Sequence, residues 1–78
     1  MKKLFSCAIV MKKEGTSKLT VAQTTVIAHD PNDAAIAAID QAMSTVRNNE
    51  LLDCQVQEVP EDMVREVFES GSRIIIPH

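Results

Sequence analysis

One stretch limits the folds open to this chain more than any other. Residues 30–47, DPNDAAIAAIDQAMSTVR, satisfy their own pattern best as an amphipathic helix. Asp30 is placed as an N-cap, where its carboxylate can accept the first free backbone N–H groups. Pro31 suits the first helical position, because its missing N–H is not needed there and its fixed φ is already helical. Asp33 puts a negative charge in the first turn, where the helix dipole favours it. Alanines at 34, 35, 37, 38 and 42 raise the helix propensity. Ile36, Ile39, Met43 and Val46 recur at spacings of three, four and three, and Ala35 and Ala42 widen that stripe. Asp40, Gln41, Ser44 and Arg47 fall on the opposite, wet side. Asn48 and Asn49 are stop residues, since Asn tolerates the left-handed conformation. A stripe this narrow and this rich in small side chains predicts close packing onto a sheet, not a groove for a cofactor.

The flanking segments supply that sheet. Leu4–Met11 alternates as a strand that is largely apolar on both faces, with Phe5, Cys7, Ile9 and Met11 on one side and Leu4, Ser6, Ala8 and Val10 on the other. KKEGTSK (12–18) reads as a turn in which Gly15 can take a positive φ. Leu19–Ala28, rich in Thr and Val, is a second strand. Its apolar set changes face near Gln23–Thr25, which predicts a bulge. Leu52–Glu58 is a third strand, with Leu52, Cys54 and Val56 inward and Asp53, Gln55 and Gln57 outward. Pro60 and the acids after it open a second helix to about Ser70, with Met63, Val64, Val67 and Phe68 buried and Gly71 as its stop. Ile74–Ile76 can form a short C-terminal strand.

Together these make an α+β fold, a two-layer sandwich of order β-β-α-β-α with a possible short fourth strand. A right-handed strand–helix–strand crossover leaves strands two and three parallel. Strand one, apolar on both faces, belongs between them and antiparallel to both. The expectation is a mainly antiparallel sheet of order 2-1-3 with both helices on one face. The far face would then carry Ser6, Ala8, Val10, small residues of strand two, and Asp53, Gln55 and Gln57.

At 78 residues the chain is one domain, 1–78, with a small core that oligomerisation commonly supplements. The net charge of −3 argues against general affinity for nucleic acid or anionic membranes. The charge is polarised, however. Residues 1–29 hold five lysines against Glu14, and residues 30–78 hold three arginines against ten acids. MKKLFSCAIVMKK has a superficial likeness to a secretory signal, but its apolar run is short, is closed by two lysines and lacks a small-x-small cleavage site. No run approaches the length of a membrane span. A cytoplasmic protein is expected, of the general type of small accessory proteins of bacteria or their phages.

The candidate sites are few. Cys7 and Cys54 fall on neighbouring strands and read as small buried hydrophobes in a reducing compartment, in preference to a redox pair. His29, Asp30, Asp33 and His78 lack any spaced ligand pattern, so neither a metal nor a cofactor is expected. No nucleophile, acid and base converge, and no catalytic residue is assigned. Glu58, Glu61, Asp62, Glu66 and Glu69 make the second helix acidic, which reads as an ordinary solvated face. Two interaction surfaces remain. One combines Ile74, Ile75 and Ile76 with Ala8 and Val10 on the far sheet face. It points to a non-enzymatic protein–protein interaction module, acting as a homodimer or on another protein. The other is the hairpin tip with Lys12, Lys13 and Lys18, the alternative being nucleic-acid binding, for which stacking aromatics are missing.

Overall fold

The computed structural model describes residues 2–45, 48–71 and 73–76. Strands β1 (Lys3–Lys13) and β2 (Leu19–Ala28) form an antiparallel hairpin. Their register runs unbroken from Lys3 opposite Ala28 to Lys12 opposite Leu19. The bulge expected near Gln23–Thr25 is therefore absent. The strand keeps its alternation and leaves Leu19 and Val21 on the outer face, instead of kinking to turn them inward. Gly15 closes the turn at a φ of 76°, and the Thr16 hydroxyl donates to the Lys13 carbonyl at 3.0 Å.

Helix α1 (Pro31–Thr45) follows, capped as its sequence requires. The Asp33 N–H donates to Asp30 Oδ1 at 2.8 Å, and the Ala34 N–H donates to the Asp30 carbonyl at 3.1 Å. Val46 and Arg47 lie outside the described residues. Asn48 then takes a φ of 61°, the left-handed conformation that ends helices. Its carbonyl accepts the Glu14 N–H at 2.9 Å, so the helix exit is tied to the hairpin turn.

Strand β3 (Asn49–Glu58) pairs antiparallel with β1 on the side away from β2. A bulge does occur here. Val10 faces Asp53 and Met11 faces Leu51, so Leu52 is the extra residue. Cys54 and Val56 point inward as expected, but Leu52 is lifted out of the alternation and is exposed. A 3-10 turn (Glu61–Met63) leads into the short helix α2 (Val64–Glu69). Gly71 ends it at a φ of 78°. Strand β4 (Ile74–Ile75) pairs parallel with β2, Ile74 beside Thr25 and Ile75 beside Val26.

The sheet order is β3-β1-β2-β4. Read from the other end it is β4-β2-β1-β3, so β1, β2 and β3 stand in the expected 2-1-3 order and β4 extends the sheet on the outer side of β2. The sheet and α1 make the two layers of an α+β sandwich. The core joins Phe5, Cys7, Ile9, Met11, Val26 and Ala28 of the sheet to Ala34, Ala38 and Ala42 of the helix. Ala34 and Ala38 are fully buried, whereas Ile36 is 60% exposed. The contact stripe is thus one residue round from the expected one. Alanines touch the sheet, and Ile39 and Met43 close its flanks.

Helix α2 does not share the face of α1. Crossovers between parallel strands are right-handed. The β2-α1-β3 connection crosses the sheet in one direction, and β3-α2-β4 crosses in the other. Two right-handed crossovers of opposite direction lie on opposite faces. Leu4 agrees. It points away from α1 by strand alternation, it is buried, and it stands outside the α1 core. Val64 and Phe68 share a depression with Leu4 and Ile27. The expected buried stripe of α2 is only half realised, with Val64 and Val67 half-buried and Met63 and Phe68 exposed.

Two stability changes test this packing. Asp30→Ala removes the cap and should cost about 1 kcal/mol, read as a lower melting temperature by circular dichroism. Ala38→Leu should cost about 1–3 kcal/mol by overpacking the helix–sheet contact, while Ile36→Ala should stay within about 0.5 kcal/mol. Equal losses from the two would mean that the helix is rotated from the position described.

Candidate interaction surface

Among the described residues, the face of the sheet opposite α1 is covered at one end only. Beyond Leu4 and Ile27, strand pairing builds it in rows. Ser6 lies between Thr25 and Gln57, Ala8 between Gln23 and Gln55, Val10 between Val21 and Asp53, and Lys12 between Leu19 and Glu50. Ile74 lies beside Thr25. The face is more apolar than expected, because β2 contributes Leu19 and Val21 to it instead of its small residues. These two are 59% and 60% exposed. Ala8 and Val10, both anticipated as interaction residues, are half-buried beside them.

The anticipated isoleucines divide. Ile74 and Ile75 pair within their own chain, which answers whether this segment needs a second copy to form a strand. Ile75 packs against the α1 core. Ile76 is exposed and borders a groove of about 910 Å³ between α1 and the β4 edge, with Ile36, Ile39 and Ile75 along it and Asp33 and Asp40 at its rim. Helical periodicity places Ile36 in the core stripe, so this groove is not legible from spacing alone.

The lysines also divide. Lys13 and Lys18 are exposed at the hairpin tip. Lys12 is half-buried at the end of the outer face, and its Nζ is 3.9 Å from Glu50 Oε2. Glu14 and Glu50 share this end of the molecule. The two Phe side chains lie elsewhere, Phe5 in the core and Phe68 on α2, so no aromatic stands beside the lysines to stack on a base. The acids of the α2 region are solvated as expected. Glu58 pairs with Lys3 at 3.4 Å and Glu69 with Arg65 at 3.0 Å.

Cys7 and Cys54 are free thiols on one face of neighbouring strands. Cys7 stands opposite Val56 and Cys54 opposite Ile9, so the pair is diagonal. Diagonal neighbours are separated by about 7–8 Å, beyond the usual reach of a disulfide. Cys7 Sγ lies 3.9 Å from the Ala34 carbonyl, to which the thiol donates a weak bond. Burial, and then the neighbouring Cys54, push the Cys7 thiol up to about 11. Burial, and then Asp53, raise that of Cys54. Both shifts oppose thiolate formation, hence nucleophilic use. Asp30 is occupied as the cap, and His29 stands at the groove. Among the described residues no group of three or more His, Cys, Asp or Glu side chains could hold a metal ion. His78, the other suggested ligand, lies outside those residues. No helix among them is long and apolar enough to cross a membrane.

Comparison with protein-family models, with curated proteins and with solved structures finds no match to this chain.

The buried thiol has a consequence for alkaline stability. Folding raises the Cys7 pKa above its ordinary value of 9.0, so folding favours the neutral thiol. That stabilisation is complete below about pH 9 and is lost as the pH rises toward 11. Urea unfolding at pH 8 and at pH 10.5 should show a lower midpoint at the higher pH, with part of the difference removed in Cys7→Ala. A thiol reagent at pH 8 should modify Cys7 only on unfolding.

Proposed function

We propose that this protein is a non-enzymatic protein–protein interaction module of the cytoplasm that acts as a homodimer through its outer sheet face. One observation carries the reading. Leu19 and Val21 stand exposed on a sheet face that also carries Ala8 and Val10, and nothing of the described chain covers them beyond α2 at the far end. Contiguous apolar patches mark association sites, and Leu19, Val21, Val10 and Ala8 are neighbours on adjacent strands of this face. Covering the exposed part of Leu19 and Val21, 59% and 60% of each, in two copies would contribute at most on the order of 4–7 kcal/mol. Association itself costs about 4–15 kcal/mol, so other contacts must add to these. Two free thiols in a sheet interior suit a reducing compartment.

Sedimentation at concentrations up to high micromolar tests the reading. The expected result is a concentration-dependent monomer–dimer equilibrium. Val21→Lys should shift it to monomer and still fold, with the circular dichroism spectrum of the wild type at a concentration where both are monomeric, because the side chain is exposed in the single chain. A wild-type monomer throughout the range would overturn the proposal.

A further inference from the structure

Granted the self-association proposed above, the structure also says how the second copy must sit. Helix α2 stands on the outer face at the Leu4 end, and the lysine hairpin lies at the other end of the same strands. Packed sheets lie about 10 Å apart, and a helix with its side chains is about 10–12 Å thick. If two copies met with their strands parallel, the two α2 helices would coincide and hold the sheets roughly twice that distance apart. With the strands antiparallel, each α2 falls beyond the hairpin end of its partner and the sheets can touch.

Charge selects the same arrangement. The hairpin end presents Lys12, Lys13 and Lys18 against Glu14 and Glu50. The α2 region presents Glu58, Glu61, Asp62, Glu66 and Glu69 against Arg65, Lys2 and Lys3, so it stays acidic on balance. Antiparallel docking brings the lysines of each copy to the acids of the other, twice. Size adds a further condition. The open rows from Ser6 to Lys12 make a strip of roughly 24 Å by 14 Å, less than the about 800 Å² per partner of a standard interface. The flank of α2 therefore has to take part, and Phe68 and Met63 are the exposed large apolar groups there.

We infer that the partner on the outer face is a second copy of this chain docked antiparallel, with the Lys13–Lys18 hairpin of each copy against α2 of the other. Charge exchange tests this. Lys13→Glu with Lys18→Glu gives one variant, and Asp62→Lys with Glu66→Lys gives the other. All four side chains are exposed, and circular dichroism reports whether each variant folds. In low salt, sedimentation should show each variant dimerising at least tenfold more weakly than the wild type. An equimolar mixture should recover a heterodimer of near wild-type affinity. The unaltered protein should dissociate progressively as salt rises, a readout that needs no variant. A wild-type dimer indifferent to salt, or variants that each dimerise as tightly as the wild type, would overturn the antiparallel arrangement and leave self-association standing. A wild type that stays monomeric at high micromolar concentration would overturn both and leave the face to a different protein.

Discussion

Everything in this molecule depends on how closely α1 can approach the sheet. Ala34, Ala38 and Ala42 stand one turn apart on one side of the helix. With no side chain beyond a methyl, they bring the helix backbone down onto Phe5, Cys7, Ile9 and Met11. The Cys7 thiol reaches a helix carbonyl as a result. Close approach also explains where the larger residues go. Ile39 and Met43 seal the flanks of a narrow contact, and Ile36 has no place beneath the helix. The same alanine spine that makes a small core dense therefore leaves a large aliphatic side chain outside it.

The second constraint is handedness. Once β4 joins the outer side of β2, the chain must return across the sheet in the direction opposite to its first crossing. A right-handed return is available only over the other face. Six helical residues cannot cover that face, so α2 shelters Leu4 and leaves the rows from Ser6 to Lys12 open. The uncovered surface follows from topology and segment length together, more than from any single exposed residue.

Much of the architecture was legible in the chain itself. The cap at Asp30, the left-handed residues Asn48 and Gly71, the turn at Gly15, and the central place of β1 all follow from local chemistry and strand alternation. Three features were not legible, each for a physical reason. The helix stripe was read from its largest apolar residues, but contact distance favoured its smallest. The face change in β2 was read as a bulge, but exposing Leu19 and Val21 was tolerated and the bulge fell at Leu52. The face of α2 depended on which edge β4 would join, and two isoleucines do not encode an edge. The candidate surface is legible through Ala8 and Val10, while its most exposed members, Leu19 and Val21, stand there because β2 keeps an unbroken alternation where a bulge was expected.

The bulge at Leu52 matters beyond register. β3 is ten residues long, and no strand among the described residues pairs with its outer side. A straight apolar edge of that length invites open-ended growth into fibres. Here the extra residue at Leu52 breaks the ladder and twists the edge, while Glu50, Asp53 and Glu58 place negative charge along it. Two copies meeting edge to edge would oppose acid to acid across a bent ladder. The molecule thus guards the β3 edge against edge-to-edge pairing, while among the described residues nothing covers the rows from Ser6 to Lys12.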